Sequence, residues 1–112
     1  MPDRSLRLNT LQAKTLTLLQ ELAKQSVFAE EDVSGGGKRI RALPDPHGDH
    51  FHIGSRVVLA KDASGLKNGA VLAALDRKGY VTLSGAHDIV VTKKGLEADT
   101  GLRERILHGS DH

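Results

Sequence analysis

The chain has 112 residues, of which 38% are hydrophobic and 27% charged, and its formal net charge is +2. This length suits one domain with a single modest core. The absence of cysteine excludes a disulfide framework, a thiolate nucleophile and a cysteine-ligated zinc site. The sequence has neither an apolar signal segment nor the roughly 20-residue apolar run that a membrane span needs, so we expect a cytoplasmic protein.

Positive charge is concentrated in the later part of the chain. Of the 16 basic and 14 acidic residues, 12 basic and 9 acidic residues follow Ser34. Together with a pI near 9.1, this distribution is compatible with a nucleic-acid partner, at a low density of charge.

Residues 8–24 have the spacing of an amphipathic helix. Asn9 is placed to cap its N-terminus, and Gln12, three residues later, can complete a capping box. We expect the helix to pack one face against the core. The apolar stripe on that face would consist of Leu8, Leu11, Thr15, Leu18, Leu19 and Leu22.

A loop and a pair of strands are predicted after this helix. Residues 25–37 combine an acidic patch with three consecutive glycines, which favours a mobile loop. Residues 38–43 and 50–53 each alternate polar and apolar side chains, and a turn rich in Pro, Gly and Asp separates them. The pattern predicts an additional β-hairpin near residues 38–54.

Residues 55–63 fit either of two structures. Val57 and Val58 favour a strand that continues from Ile53, whereas Ser55 could cap a short helix. We favour the helix, because a helix that ends at the following corner would complete a two-helix turn.

Residues 64–79 predict a tight corner followed by a short helix. Ser64-Gly65-Leu66 forms the corner, Asn68 is a suitable N-cap, and Gly79 ends the helix in the left-handed conformation. The residues that this helix would bury are Val71, Leu72 and Leu75.

Two strands and a final helix complete the predicted elements. Residues 80–84 and 88–92 have the composition of strands and flank a turn at residues 85–87. Thr92 can cap the final helix, which has a possible break near Gly101. The apolar residues of that helix would be Leu96, Ile106 and Leu107. The segments expected to be flexible are 1–7, 33–37 and 108–112.

Over residues 55–100, the order of corner, helix and hairpin resembles the winged helix-turn-helix superfamily. The matching positions are Ala60, Ser64-Gly65-Leu66, Val71, Leu75 and Gly79-Tyr80-Val81. The resemblance implies a single α+β domain over residues 1–112, with three to four helices and a C-terminal β-hairpin wing. Residues 8–24 would then supply the first helix.

The same resemblance implies a DNA-binding function, in which one helix enters the major groove while the wing and helix N-termini hold phosphates. The chain would act on duplex DNA as a transcriptional regulator, and as a homodimer because one short helix reads few bases. Asn68 could read adenine and Arg77 guanine. The implied DNA-binding residues are Lys67, Asn68, Arg77, Lys78, Lys93 and Lys94.

A protein-interaction module of winged-helix shape, without nucleic-acid binding, is an alternative. The net charge is low, and the exposed face of the second helix would carry only small side chains that can pack closely on another protein. The residues expected on that face are Gly69, Ala70, Ala73 and Ala74.

Clustered histidines raise a third possibility, a metal sensor. His47, His50 and His52, with Asp49 beside them, offer ligands that suit zinc, nickel or copper. A solvent-facing hairpin tip, or an interface that responds to protonation at about pH 6, would explain the same cluster. No nucleophile elbow or cofactor motif accompanies these residues, so we expect no enzymatic activity.

Overall fold

The part of the chain that the structure describes combines four α-helices with two small antiparallel sheets, which confirms the predicted α+β class. The computed structural model describes residues 7–32, 35–45, 48–84 and 88–109. The helices are α1 (Thr10–Ala23), α2 (Gly69–Arg77), α3 (Lys93–Glu97) and α4 (Arg103–Ile106). The strands are β1 (Ala29–Glu31), β2 (Lys38–Ile40), β3 (His50–Ile53), β4 (Arg56–Leu59), β5 (Val81–Leu83), β6 (Ile89–Val91) and β7 (His108–Gly109). Two 3₁₀ turns precede α2, Ala60–Asp62 and Ser64–Lys67.

Helix α1 lies at the centre of the fold. Its predicted capping box is confirmed: Gln12 N donates a hydrogen bond to Asn9 Oδ1 at 2.8 Å, and Asn9 N donates one to Gln12 Oε1 at 3.2 Å. Residues 15–19 are all buried, because α1 contacts α2, α3, three strands and both 3₁₀ turns. The helix therefore packs on more sides than the single predicted stripe. Neither α1 nor any other described helix is long and apolar enough to cross a membrane.

The first sheet contains the hairpin predicted near the C-terminus. Its strand order is β1-β2-β6-β5, and all neighbouring strands are antiparallel. Strands β5 and β6 pair in the register Val81↔Val91 and Leu83↔Ile89, around the turn at residues 85–87, which itself lies outside the described residues. On its other side β6 pairs with β2, so a strand from before α2 extends the hairpin into a sheet.

The predicted hairpin over residues 38–54 is wrong, and so is the predicted helix over residues 55–63. Strands β2 and β3 belong to different sheets, and β3 pairs instead with β4 in a second sheet of order β3-β4-β7. Gly54 and Ser55 form the connecting turn. Gly54 has a φ of 60°, and glycine is favoured at this first position of a tight hairpin turn. Gly54, which interrupts the strand pattern, therefore lies in the turn, and Val57 and Val58 belong to the second strand of the hairpin, β4.

Residues 29–31 form a strand where the sequence predicts a mobile loop. Strand β1 pairs with β2 in the register Ala29↔Ile40 and forms one edge of the first sheet. Glu30 and Glu31 are exposed, as charged side chains on an edge strand commonly are. Asp32 N donates a hydrogen bond to the Gly37 carbonyl at 3.0 Å, which closes the connection to β2. Residues 33 and 34, in the predicted flexible segment, lie outside the described residues.

The C-terminal segment has the predicted cap and the predicted break. Thr92 Oγ1 accepts a hydrogen bond from Gly95 N at 3.0 Å and so caps α3. Helix α3 ends at Glu97, and residues 98–102, which include Gly101, are not helical before α4 begins. After α4, β7 pairs with β4 through Val57↔His108, so the two residues that begin the predicted flexible segment 108–112 join a sheet.

Candidate nucleic-acid interface

The predicted corner before α2 is built from two 3₁₀ turns, and the expected crossing of two full helices is wrong. The turn Ser64–Lys67 packs on α1. Gly65 makes this close approach possible, because a Cβ atom at that position would overlap Thr15 Oγ1. This contact with α1 fixes the position from which α2 begins.

Both ends of α2 have the predicted caps. Asn68 Oδ1 accepts hydrogen bonds from Ala70 N at 3.0 Å and Val71 N at 3.3 Å. At the other end Gly79 has a φ of 84°, and Tyr80 N donates a hydrogen bond to the Leu75 carbonyl at 3.0 Å. This pattern is a Schellman C-cap, which satisfies carbonyl groups that the helix end would otherwise leave without donors.

One side of α2 is buried and the other faces solvent. Val71, Leu72 and Leu75 are buried, as predicted. Ala74, which was expected on the open face, is only 4% exposed, because it points toward the core with the apolar residues. The residues that are exposed or half-buried along α2 are Gly69, Ala70, Ala73, Asp76 and Arg77. Of these five, only Arg77 carries side-chain hydrogen-bond donors.

Five basic residues lie near the C-terminal end of α2. Lys78 Nζ donates a hydrogen bond to the Arg7 carbonyl, and Lys94 Nζ donates one to the Lys78 carbonyl at 2.8 Å. Arg77 and Lys93 are exposed and directly precede these two lysines in the chain. We call Arg7, Arg77, Lys78, Lys93 and Lys94 the basic cluster.

Lys94 also stabilises the local structure. Its ammonium group lies 4.7 Å from the centre of the Tyr80 ring, within the range of a cation–π interaction. Its hydrogen bond satisfies the Lys78 carbonyl at the end of α2. Arg77 and Lys93 are therefore better positions than Lys94 at which to remove charge without disturbing the fold.

Four of the six predicted DNA-binding residues belong to the basic cluster, and the other two do not. Lys67 and Asn68 lie at the opposite end of α2, which is roughly 13 Å long at 1.5 Å per residue. The carboxamide oxygen of Asn68 is used by the helix cap, so the expected contact of Asn68 with adenine has little support. Arg7 was not predicted, since its contact with Lys78 depends on how the segment before α1 meets α2.

One arginine of the first sheet is paired with carboxylates. Arg39 of β2 donates a hydrogen bond to Asp88, just before β6, and its guanidinium also lies 3.8 Å from Asp32. The hydrogen bond and the negative charge of Asp88 raise the pKa of Arg39 above its ordinary value. This arginine therefore connects β2 to the base of the hairpin and is a poorer phosphate ligand than the basic cluster.

The histidines offer less support for a metal site. His50 and His52 lie on the same face of β3, with ring centroids 5.0 Å apart and an interplanar angle of 76°. Asp49 Oδ1 lies 3.3 Å from His50 Nδ1. His47, the third predicted ligand, lies outside the described residues. Among the described residues, no group of three or more histidines or carboxylates is arranged to hold a metal ion.

Comparison with known proteins found no match. No protein-family model, curated protein or solved structure matches the chain.

Proposed function

We propose that the chain is a small DNA-binding domain of winged-helix-like form that regulates transcription. The observation that carries this proposal is the position of α2. This helix exposes one side, begins at a turn packed on α1, and is followed directly by the β5–β6 hairpin. The pairing of β2 with β6 supports the proposal, because it anchors the hairpin as a wing would be anchored.

In the proposed complex, α2 enters the major groove. Gly69, Ala70 and Ala73 have side chains small enough to let the helix backbone approach the bases. The length of α2, roughly 13 Å, is close to the roughly 12 Å width of the groove. Lys67 at one end and the basic cluster at the other could therefore contact phosphates on both sides of it.

Phosphate contacts would supply most of the affinity in this arrangement. Arg77 is the residue of α2 best suited to read a base edge, and guanine is its usual partner. Because a single α2 would distinguish few base pairs, we propose that a homodimer reads two half-sites. The function would be binding without catalysis or a cofactor, in the cytoplasm.

A titration of random-sequence duplex DNA across a salt series tests this proposal. Affinity should fall with salt, with a log–log slope of about −0.9 for each phosphate contact. Arg77→Gln should make the slope shallower by about one unit. The matched control is Arg105→Gln, which removes an exposed arginine from α4 and should leave the slope unchanged. Absence of binding at low salt, or equal effects of the two variants, would exclude the proposed mode.

A protein-interaction role is the second candidate, and the composition of the exposed side of α2 favours it. That side carries three small residues and the carboxylate of Asp76, which DNA phosphates would repel. Sedimentation of wild type and Ala73→Arg distinguishes the two functions. Self-association through α2 should be lost when the arginine blocks close packing, whereas a DNA-binding homodimer, which keeps α2 free for the groove, should remain a dimer.

A further inference from the structure

An apolar groove with a cationic mouth lies beside the start of α2. Its volume is about 490 Å³, within the range of small-molecule sites. The walls come from β2, the segment after it, the turn before α2, α2 itself and β6. The residues that define these walls are Ile40, Arg41, Leu66, Lys67, Leu72 and Ile89.

The segment that follows β2 is not part of a strand, and it forms one wall of the groove. Arg41 N and Ala42 N both donate hydrogen bonds to the Phe28 carbonyl, at 2.7 and 3.4 Å, and the chain then continues past α2 without strand pairing. Gly69 contributes no side chain to the space. A Cβ atom at Gly69 would meet no heavy atom within 4 Å, so there is open space beside this lining residue.

Two of the residues that line the groove, one after β2 and one before α2, are cationic. Arg41 follows β2, Lys67 precedes α2, and both are exposed. Among the described residues, no carboxylate lines the groove, and neither cation forms an ion pair with one. The N-terminus of α2 adds partial positive charge near Lys67. The apolar walls and this positive mouth together match a ligand with an apolar body and one anionic end.

We propose that the groove binds a small amphipathic carboxylate, such as a medium-chain fatty acid. The hydrocarbon chain would lie against Leu66, Leu72 and Ile89, and the carboxylate would pair with Arg41 and Lys67. The bounded volume favours a free acid over a peptide or a second copy of the chain. This site does not depend on the proposed DNA-binding function, although Lys67 belongs to both.

Titration of the protein with sodium octanoate, followed by amide chemical shifts, tests the site directly. Shifts should concentrate at Leu66, Gly69, Leu72 and Ile89. The neutral analogue 1-octanol should bind at least about fivefold more weakly, because it lacks the charge that the two cations recognise. Over a series from butanoate to octanoate, each added methylene should strengthen binding about threefold to fourfold until the groove is filled.

Three variants test whether the chemical-shift changes arise from binding in the groove. Arg41→Gln and Lys67→Gln should each weaken octanoate binding toward that of octanol and leave octanol binding unchanged. Gly69→Leu should abolish binding of both compounds, because its side chain would occupy the open space. Arg105→Gln is the control for general loss of positive charge, and it should change neither affinity.

Several results would overturn the proposal. These are the absence of shifts at the groove up to the solubility limit of octanoate, equal affinity for octanoate and octanol, or self-association of the protein that buries Leu66 and Leu72. Binding of an acidic amphipathic peptide without binding of octanoate would also overturn it. Because the titration contains no DNA, its failure leaves the DNA proposal untouched, and the reverse holds as well.

Discussion

Gly65 and Gly69 lie four residues apart in the sequence and have opposite surroundings. Gly65 is buried in the turn before α2, where a Cβ atom would overlap Thr15 Oγ1. That hydroxyl already donates a hydrogen bond to the Leu11 carbonyl at 2.8 Å, so it cannot move without loss. Around Gly69 the space is open. Packing thus requires glycine at the first position and not at the second.

The two alanine variants should therefore change stability in opposite directions. Gly65→Ala should lower the free energy of unfolding by about 1–3 kcal/mol, the usual effect of overpacking a core. Gly69→Ala should raise it by about 0.4–1 kcal/mol, because alanine restricts the unfolded chain more than glycine does. Urea denaturation measures both values. Equal effects of the two substitutions would contradict the contact between the turn and α1.

At the scale of elements, a buried carboxylate joins α1 to the C-terminal segment. Glu21 of α1 is only 4% exposed, and Arg103 of α4 donates a hydrogen bond to it. Lys24 lies 3.4 Å from the same carboxylate and gives it a second, more exposed partner. Removing one partner of a buried charge is strongly destabilising, because the charge that remains is still desolvated.

Arg103→Ala should lower the free energy of unfolding by about 2 kcal/mol, less than for a fully buried pair because Lys24 remains. The control Arg105→Ala changes the same residue type on the same helix at an exposed position. It should stay within about 0.5 kcal/mol of wild type. Chemical denaturation of both variants measures the difference. A loss for Arg103→Ala no larger than that for Arg105→Ala would mean that this ion pair does not hold α4 in place.

At the scale of the whole molecule, the net charge of +2 gives little long-range attraction for DNA. Binding must then depend on how charges are arranged locally. The basic cluster places five basic residues near one end of α2, while the exposed carboxylates of Asp76 and Glu97 lie close to it in the chain. Of these two carboxylates, that of Asp76 should oppose DNA binding more strongly, because it lies on α2 itself.

Asp76→Asn should strengthen binding to random duplex DNA by about twofold to fivefold at low salt, the size expected for one exposed charge in water. The gain should shrink as salt increases, because counterions screen the carboxylate. Glu104→Gln on α4 is the control, and fluorescence anisotropy measures both affinities. Unchanged or weaker binding by Asp76→Asn would mean that α2 does not face the phosphates.

The correct predictions concern features that a few consecutive residues decide. Asn9 with Gln12 starts α1, Asn68 starts α2, and Thr92 starts α3, because each cap is satisfied within three residues of itself. The errors concern strand pairing. The partner of β3 follows after only two turn residues, and so short a connection loses little entropy on closure. The β3–β4 hairpin therefore forms in place of the hairpin over residues 38–54 that the alternation of side chains predicts.

The sequence by itself determined the α+β class, the capped helices α1 and α2 and the β5–β6 hairpin, since their signals lie in short stretches of chain. Only the tertiary structure decided that β2 extends the hairpin, that Arg7 joins the basic cluster, and that Arg41 and Lys67 share one groove. The contact between Arg7 and Lys78 spans 71 positions in the chain. Such a contact depends on how whole elements pack around α1, and no local pattern of residues encodes it.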